Sequence, residues 1–584
     1  MQNSFKIIER NFDLVIIGSG GAGIMAALSA KDSGIKNICI ISKVIPTNSH
    51  TVAAKGGINA PLGNVSKDDW RWHAFDTIKG SDYLADEDVV DILCQNANQA
   101  ILELEKYGVV FSRNSDGAIS QRAYGGQTTD FGQGDLAYRA CYSKDKTGQT
   151  ILHTLYSQAL KNDITFFSEF FVFDLLTDSE NSCFGCIAID INNGEVNIFN
   201  SKITIIATGG YSQIFKNNTS SLICTGDGTS LAAQSGYPLK DMEFIQFHPT
   251  GIFNQGFLIS EAARSEGAHL INSKGERFMS KYSPKLMELS SRDIISRAIA
   301  YEVANGNGCG ASKKSIYLDL RHLTKEVLQE KLPGVVETAK NFAKTDVKNQ
   351  PLEIYPTAHY TMGGISVNKN CEVTDEFDNA NPTLLAVGEC ACASVHGANR
   401  LGCNSLLDLI VFGKIAGKTA HNNIKKINSI KSNLDDIKKS KIINLCKILE
   451  NKNNSNDIKL DNIKKEIQEI SENYFGVFRN QSLLETGISM LKKLEIQIDS
   501  YNILNKSLLL NDELIAFLEV KNLFLNTFIS ISSALERKES RGSHYREDFS
   551  KKDDLNFLHH TISVIKNNKI IFYKGKIRRK IENN

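Results

Sequence analysis

The sequence predicts an α/β fold, and three adjacent features near its start predict it. Residues 12–17 (FDLVII) form an apolar run with the length of a buried strand. Residues 18–23 (GSGGAG) fit the spacing G-x-G-x-x-G, and residues 24–30 carry apolar side chains at helical spacing before Gly34 ends the helix. A strand, a glycine turn and a helix in this order form the dinucleotide-binding unit of Rossmann-like domains.

The glycine turn also indicates the kind of ligand. Gly18 makes the tight turn, Gly20 lets the backbone approach a pyrophosphate, and Gly23 lets the helix pack on the strand. The free N–H groups and the dipole of the helix then hold the phosphates. NAD-binding units carry an acid after their second strand, but here Ser42 and Lys43 follow residues 37–41. This departure disfavours NAD and leaves room for a flavin dinucleotide held in another way.

Length and composition limit the classes of function. A chain of 584 residues should form several domains, and its net charge of +1 gives no general attraction to nucleic acid. The most apolar long stretch, residues 515–535, is interrupted by Glu519, Lys521 and Asn526, which predicts a core helix and no membrane span. Residues 1–11 lack the apolar core of a signal peptide, so we expect membrane contact only through a partner.

The twelve cysteines do not follow the spacing of a metal site. The pairs Cys183/Cys186 and Cys390/Cys392 are isolated, whereas an iron–sulfur cluster or a structural zinc needs four ligands in recognisable sets. The sequence therefore predicts no metal and reduced, buried thiols in a cytosolic compartment.

The remaining pattern alternates between helices and strands. Helical spacing predicts helices within residues 68–107, 147–160, 422–470, 475–494 and 512–535. Strands are predicted at 166–173, 186–191, 196–199 and 201–206, with a hairpin turn at 192–194 and a glycine-rich loop at 125–134. Residues 225–228 should open a helix in which Asp227 either contacts a cofactor hydroxyl or caps the helix. The charged residues 536–549 predict a salt-bridge network or a partner surface.

Histidines and arginines recur in glycine-rich segments of weak periodicity. Such groups suit a site for a small dianion, although scattered surface ion pairs are the alternative interpretation. Glu261 and Arg264 are three residues apart, which places them on one face of a helix. The set consists of His50, His248, Thr250, Ser260, Glu261, Arg264, Glu266, Arg292, His359, Glu389, His396, Arg400 and Asn404.

Seven motifs together resemble the flavoprotein subunits of succinate dehydrogenase and of quinol:fumarate reductase. They are GSGGAG at 18–23, SHTVAAKGGINA at 49–60, ATGGY at 207–211, QFHPTG at 246–251, HYTMGG at 359–364, HGANRLGCNSLLDLIVFG at 396–413 and KESRGSHYRED at 538–548. The resemblance extends from residue 12 to about 549 and is weakest at 422–470.

The resemblance implies roles for nine of these candidate residues and for further positions. His50 matches the histidine that carries FAD covalently, and His248, Ser260, His359 and Arg400 match residues that bind the two substrate carboxylates. Arg292 matches the residue that moves the substrate proton, with Glu261 and Arg264 as its relay to solvent. The further positions that match cofactor contacts are Gly18, Ser19, Gly20, Gly21, Ala22, Gly23, Ser42, Lys43, Ser49, Thr51, Gly56, Gly57, Asp227, Glu389, Ser405 and Leu406.

The implied base is chemically unexpected. A general base works best when its pKa lies near the operating pH, which favours His359 or His248, yet the family pattern assigns the proton to Arg292. The sequence also departs from the family at four positions. Ser260 replaces a threonine and keeps the hydroxyl, while the other three departures are Asn48 for arginine, Lys55 for glutamine and Cys403 for glycine or alanine.

The implied architecture is a discontinuous FAD-binding domain (1–243 and 356–425) with an inserted α+β capping domain (244–355), a helical domain (426–545) and a small C-terminal domain (546–584). The implied activity is oxidation of succinate to fumarate by hydride transfer to FAD. The implied partners are an iron–sulfur subunit and membrane anchor subunits that reduce quinone. The expected location is the cytoplasmic face of a bacterial inner membrane, or the mitochondrial matrix face after processing.

Three alternatives stay open from the sequence. A fumarate reductase would run the reaction in reverse. An L-aspartate oxidase resembles the same group but holds FAD without a covalent bond, so His50 argues against it. An inactive flavin-binding scaffold would not need the charged residues, all of which are present.

Overall fold

The computed structural model describes residues 5–427, 434–451 and 459–579. Its strands are β1 (Ile7–Ile17), β2 (Ile38–Ser42), β3 (Ile58–Asn59), β4 (Gln121–Thr128), β5 (Leu136–Cys141), β6 (Thr165–Ser168), β7 (Phe170–Thr177), β8 (Cys183–Asp190), β9 (Val196–Ile206), β10 (Leu239–Lys240), β11 (Ile245–Ile252), β12 (His269–Ile271), β13 (Ile316–Asp319), β14 (Leu352–Thr361), β15 (Gly364–Ser366), β16 (Glu372–Thr374), β17 (Ala380–Ala386), β18 (Ala391–Cys392), β19 (His560–Lys566) and β20 (Lys569–Gly575).

The α-helices alternate with these strands in the first half of the chain and dominate after β18. They are α1 (Gly21–Asp32), α2 (Trp70–Gly80), α3 (Glu87–Gln95), α4 (Ala97–Tyr107), α5 (Thr147–Lys161), α6 (Asp227–Gln234), α7 (Ala262–Ser265), α8 (Met279–Tyr282), α9 (Arg292–Glu302), α10 (Pro333–Ala343), α11 (Asn404–Ile424), α12 (Leu434–Leu449), α13 (Leu460–Tyr474), α14 (Gln481–Ser500), α15 (Asp512–Glu536) and α16 (Asp554–Phe557).

The central sheet is the predicted dinucleotide-binding sheet. Its strand order is β16-β17-β9-β1-β2-β6, and β17, β9, β1, β2 and β6 pair in parallel. β1 and β2 are buried where they pair with each other, at residues 14–17 and 38–41, and both of these segments read as continuous apolar runs. The carboxyl ends of β1, β2, β9 and β17 meet at one edge, where open α/β sheets bind their ligands.

Three smaller sheets surround the central one. The order β11-β14-β13-β12 forms a four-stranded antiparallel sheet, β3-β5-β4 forms a three-stranded sheet, and β18-β15-β10-β19-β20 includes the C-terminal hairpin. A second hydrophobic core, separate from the main one, is built from residues between Ile252 and Ile354. The predicted domain limits remain predictions.

Most predicted elements are confirmed, with three corrections. Residues 166–173 form two strands, β6 and β7, because Glu169 adopts a positive φ of 63° that breaks the run. Residues 196–199 and 201–206 form one strand, β9, because its first half pairs with β8 and its second half with β17. Residues 125–128 belong to strand β4 and not to a loop.

The long helix α15 packs inside the fold. By length and composition it is, among the described residues, the single helix that could cross a membrane, and 67% of its most apolar window is buried. Asn526 on its inner face donates to the carbonyl of Gly226 at 3.0 Å, and Asn522 donates to Asp227 at 2.9 Å. The side-chain amides of α15 thus bind the start of α6 inside the protein. This confirms the prediction that the segment forms a core helix.

The charge cluster after α15 is a buried network. Arg537 donates to Glu243 at 2.5 Å and to Glu539 at 2.9 Å, and all three side chains are fully buried. Arg541 binds Glu539 from the other side at 2.8 Å. These contacts confirm the predicted salt-bridge network and place it directly behind β11.

Candidate active site

The glycine turn between β1 and α1 forms a cradle that leaves no room for a side chain at Gly18 and Gly23. Gly18 has a φ of +114°, and a Cβ there would lie 2.2 Å from the carbonyl oxygen of Ala207. A Cβ on Gly23 would lie 2.0 Å from the oxygen of Gly18, so this residue lets α1 pack on the strand. At Gly20 the nearest side-chain atom is 3.5 Å away, which leaves the backbone open to a ligand. No acidic residue lies in the first turn of α1, so no carboxylate there competes with a phosphate; the N–H of Gly21 donates to the Thr51 hydroxyl at 3.0 Å.

The end of β2 shows how a lysine replaces the expected acid. Lys43 donates to Thr225 at 2.7 Å and forms ion pairs with Asp227 at 2.8 Å and Glu519 at 2.6 Å. Asp227, the first residue of α6, therefore lies next to the end of β2. Its carboxylate also accepts a hydrogen bond from Asn522. Of the two predicted roles for Asp227, the structure shows no helix cap; the contact with a cofactor hydroxyl stays a prediction, and Asp227 lines the cavity.

One cavity of about 320 Å³ joins the glycine cradle to the arginines. All the cofactor-contact positions predicted from the sequence line it except Gly23, which packs beneath the turn. All the predicted substrate and proton-transfer residues line it except Arg264, which lies behind Glu261. The residues of this lining that the argument uses below are His50, Thr51, His248, Glu261, Arg292, His359, Glu389 and Arg400.

His50 lies in the cavity wall with one ring nitrogen already occupied. The backbone N–H of Ser221 donates to its Nδ1 at 3.2 Å, which leaves Nε2 as the nitrogen available for another bond. Burial lowers the pKa of His50 from 6.5 to about 4, so the imidazole is neutral at physiological pH. Because Nδ1 accepts a hydrogen bond, the proton of the neutral ring is on Nε2, and a covalent bond formed at Nε2 would replace that proton.

His248 and His359 face each other with ring centroids 5.0 Å apart. His359 is the extra residue at a bulge in β14, between the pairs Gln246–Tyr360 and Phe247–Ala358, and bulges of this kind re-aim a side chain. The backbone N–H of Thr250 donates to Nδ1 of His248 at 3.3 Å, so its proton is on Nε2. The pKa of both histidines lies well below 6.5, mainly because the rings are buried and secondly because Arg292 is positively charged. Both therefore act as neutral hydrogen-bonding groups.

The arginines form a continuous chain of contacts. Arg292, the first residue of α9, donates its Nε to Glu261 at 3.0 Å, and Glu261 lies 3.5 Å from Arg264. Glu261 also accepts from the backbone N–H of Gly125 at 2.9 Å. Although burial alone would raise the pKa of Glu261, Arg264 and Arg292 outweigh it and lower the pKa. This carboxylate is therefore charged and can pass a proton between its two arginines.

Arg400 has unused hydrogen-bonding capacity. Its Nη1 donates to Ser405 at 3.3 Å, but its buried Nε has no hydrogen-bond partner among the residues that the structure describes. Its guanidinium lies 4.4 Å from the ring centroid of Tyr360. Burial and the neighbouring charge of Arg292 lower its pKa from 12.5 to about 10, so it stays cationic. The site thus contains three arginines, Arg264, Arg292 and Arg400, and one charged glutamate, Glu261. The arginines give it the excess positive charge that a small dianion requires.

A flavin dinucleotide fits the donor set of this cavity. The glycine cradle and the N-terminus of α1 suit a pyrophosphate, while His50 and Glu389 lie further along the wall. Burial raises the pKa of Glu389 from 4.5 to about 7, and Thr361 donates to it from its N–H and its hydroxyl. Among the described residues no group of three or more potential ligands could hold a metal, and the twelve cysteines are free thiols.

The sequence analysis missed one residue of this site. Gln246 accepts hydrogen bonds from both Arg292 and Arg400, but it does not line the cavity. The available signal was its place two residues before His248 in β11, since residues i and i+2 of a strand share a face.

Comparison with known proteins agrees with this geometry. A family model described as "FAD binding domain" matches residues 13–406, and one described as "Fumarate reductase flavoprotein C-term" matches residues 464–578. The chain is 46% identical to the mitochondrial succinate dehydrogenase [ubiquinone] flavoprotein subunit of Oryza sativa subsp. japonica, covering 97% of this chain and 90% of that protein. It is 44% identical to the succinate dehydrogenase flavoprotein subunit of Rickettsia bellii, covering 97% and 95%.

A solved structure of quinol fumarate reductase from E. coli has the same fold. It superposes with a TM-score of 0.92 at 34% identity and covers 98% of each chain. The similarity to these proteins extends over nearly the whole chain and includes both halves of the cavity wall. The chain therefore belongs to the family of succinate dehydrogenase and fumarate reductase flavoprotein subunits, which are FAD-dependent oxidoreductases.

Proposed function

We propose that this chain oxidises succinate to fumarate with FAD bound covalently through His50. The single observation that supports this most is the cavity itself, because it joins the dinucleotide cradle to an arginine cluster of the right charge for a dicarboxylate. FAD, when bound, supplies the acceptor for the hydride that leaves one methylene carbon of succinate. Gly18 to Ala22 and Lys43 would hold its phosphates and adenosine, and Glu389, Ser405 and Leu406 would hold the remainder.

The substrate-binding groups would orient the carbon–carbon bond and stabilise charge. His248 carries its proton on Nε2, and both His248 and the Arg400 guanidinium line the cavity, so each can donate to a carboxylate. Ser260 and His359 complete the proposed set, and both line the cavity. Fixed cations and donors at the carboxylates offset the negative charge that develops when a proton leaves the carbon next to them.

Arg292 would take that proton. The unshifted pKa of histidine favoured His248 or His359, but both are neutral groups in a cationic environment. In the described part of the chain their hydrogen-bond partners are Thr250 and Thr219, and no carboxylate lies within hydrogen-bond distance of either imidazole to take up a proton. Arg292 instead contacts Glu261 directly, and Glu261 contacts Arg264, so a proton has a continuous route away from the substrate. This support is geometric, and it makes Arg292 the proposed acid–base residue.

The proposed partners follow from the chemistry of the chain. Two electrons must leave the flavin in each cycle, and the described residues offer no metal site that could carry them. We propose an iron–sulfur subunit, followed by membrane anchor subunits that reduce quinone. The related proteins are named as subunits, and one of them is mitochondrial, which supports a peripheral position at the cytoplasmic or matrix face of a membrane.

Three measurements test this function. Acid denaturation should leave yellow, fluorescent flavin on the polypeptide, whereas released flavin would contradict the role of His50. Succinate-dependent dye reduction, assayed beside fumarate-dependent oxidation of a reduced dye, gives the preferred direction. The similarity to the E. coli quinol fumarate reductase makes fumarate reduction the second candidate.

Arg292→Ala should retain flavin and lose about 10³-fold or more in turnover, since a positioned proton-transfer group contributes about 10²–10⁴-fold. Arg321→Ala is the matched control, because Arg321 is an exposed arginine that pairs with Asp319 and does not line the cavity. Substantial residual activity in the Arg292 variant, with bound flavin intact, would refute the proposed role.

A further inference from the structure

One buried amide connects the two arginines of the proposed site. Gln246 is fully buried in β11, and its single Oε1 accepts from Nη1 of Arg292 at 2.9 Å and from Nη2 of Arg400 at 3.1 Å. A carbonyl oxygen has two lone pairs, so these two bonds use its full capacity. Gln246 therefore contacts the group proposed to move the proton and the group proposed to bind a carboxylate.

The opposite end of the amide fixes its orientation. Nε2 of Gln246 donates to Oδ1 of Asn399 at 2.8 Å and to the carbonyl of Arg400 at 2.7 Å. Asn399 in turn donates to Asp293 at 3.1 Å, next to Arg292 at the start of α9. A flipped Gln246 amide would point its NH2 group at two guanidinium groups and its oxygen at two acceptors. Only one orientation satisfies every partner.

The neutral charge of the amide matters as much as its geometry. The two arginines are close enough that Arg292 helps lower the pKa of Arg400. A carboxylate between them would bind more strongly, but it would cancel one of the positive charges that a dianion needs. It would also favour the protonated form of the guanidinium that has to accept a proton. An uncharged acceptor holds two like charges in place without neutralising either.

We propose that Gln246 is a positioning residue that sets the spacing of Arg292 and Arg400 and keeps their combined charge available for the substrate. This inference rests on the proposed function. It assigns no contact with substrate or cofactor to Gln246, and its whole effect passes through the two arginines.

The experiment compares two variants of the flavin-loaded protein. Gln246→Glu adds a carboxylate of nearly the same shape, and it also replaces the NH2 group that donates to Asn399 and to the carbonyl of Arg400 by an acceptor, a loss of donors that the Gln246→Met variant below shares. We use malonate as a dicarboxylate probe and measure its binding by the change in flavin absorbance. Malonate should bind to this variant at least about 10-fold more weakly, which corresponds to the loss of about one ion-pair interaction. The pH dependence of succinate-linked kcat should move to higher pH by about one unit or more, since a nearby opposite charge stabilises the protonated group.

Gln246→Met keeps the volume and removes the acceptor. It should lower kcat by about 10-fold or more without an alkaline shift, because the arginines lose their common partner but gain no charge. Gln121→Glu is the matched control. Gln121 is buried too, but its amide donates to backbone carbonyls and its oxygen accepts from the N–H of Asn64. Its kinetics and pH profile should equal those of the unaltered protein.

The outcomes distinguish a failure of the proposed function from a failure of the positioning role of Gln246. An unaltered protein that carries flavin and shows no succinate-dependent dye reduction refutes the proposed function. An active unaltered protein whose Gln246→Met variant keeps kcat and KM refutes the positioning role. A Gln246→Glu variant that loses activity equally at every pH, with unchanged malonate binding, refutes the charge argument. If Gln246→Glu is recovered without flavin, the Gln246→Met result alone decides between positioning and no role.

Discussion

His560 makes the stability of the C-terminal hairpin depend on pH. The ring lies between two buried aspartates, with Nδ1 2.6 Å from Asp241 and Nε2 3.3 Å from Asp86. Burial alone would lower the pKa of His560, but the two carboxylates outweigh it and raise the pKa from 6.5 to about 9. The hairpin β19–β20 thus depends on a charged histidine between strand β10 and the start of α3.

The sign and size of the effect follow from linkage. A group whose pKa is raised by folding contributes stability that is complete below its unfolded pKa of 6.5 and lost as pH rises toward 9. At about 1.4 kcal/mol per pH unit, this shift corresponds to roughly 3 kcal/mol. Asp241 and Asp86 have lowered pKa values, so their contribution is lost only in acid. Stability from the cluster should be greatest between about pH 4 and 6.5.

Hydrogen exchange of the β19 amides measures this contribution directly. After correction for intrinsic exchange, the opening equilibrium should rise on the order of 100-fold between pH 6.5 and 9, which matches roughly 3 kcal/mol. His560→Gln removes the titrating group, so its opening should change little over this range. The two proteins should differ most at pH 6.5 and converge at pH 9.

His559→Gln is the neighbouring control, because burial lowers the pKa of His559 and its loss should leave the slope unchanged. Equal pH slopes in the unaltered protein and in His560→Gln would refute the reasoning. Protection of β19 that increases toward pH 9 would refute it as well, because the sign would be reversed.

Three further predictions test the site and its support. Arg400→Lys keeps the charge but loses the guanidinium fork, so malonate should bind about 10²-fold more weakly, in line with about 3 kcal/mol for a desolvated pair, as measured by flavin absorbance. Glu243→Gln leaves the buried Arg537 with weaker pairing and should destabilise the protein by about 3 kcal/mol, seen as a lower melting temperature. Gly23→Ala places a Cβ 2.0 Å from a carbonyl oxygen and should abolish flavin binding, measured as the flavin-to-protein absorbance ratio.

The parts of the fold that follow from local pattern were predictable. The β1–α1 unit and the helices α5, α14 and α15 agree with the periodicity because their apolar residues face one continuous core. The wrong predictions lie where the neighbouring strands, and not the local sequence, determine where a strand begins and ends. β9 reads as two strands because Asn200 and Ser201 interrupt its apolar run, but neighbouring strands on both sides extend it.

The candidate site was predictable as a set of residues and not as an arrangement. Sequence spacing could not show that Lys43 and Asp227 form a pair, because 184 positions separate them and only the sheet brings them together. Gln246 was missed for a different reason. A neutral amide gives no charge signal, and its importance comes from two arginines that reach it from other elements.

Because Ser221 donates a hydrogen bond to His50, the proposed attachment of flavin at His50 would indicate whether a chain has folded to its native arrangement. These residues come from separate segments that meet only after β1, β2 and β9 have joined into one sheet. That contact engages Nδ1 and leaves Nε2 for the proposed covalent bond, so a chain with an incomplete sheet lacks this restraint on the ring. Fluorescence that survives on a denaturing gel would then count the molecules that reached the native arrangement, and it provides an internal yield standard for every variant described above.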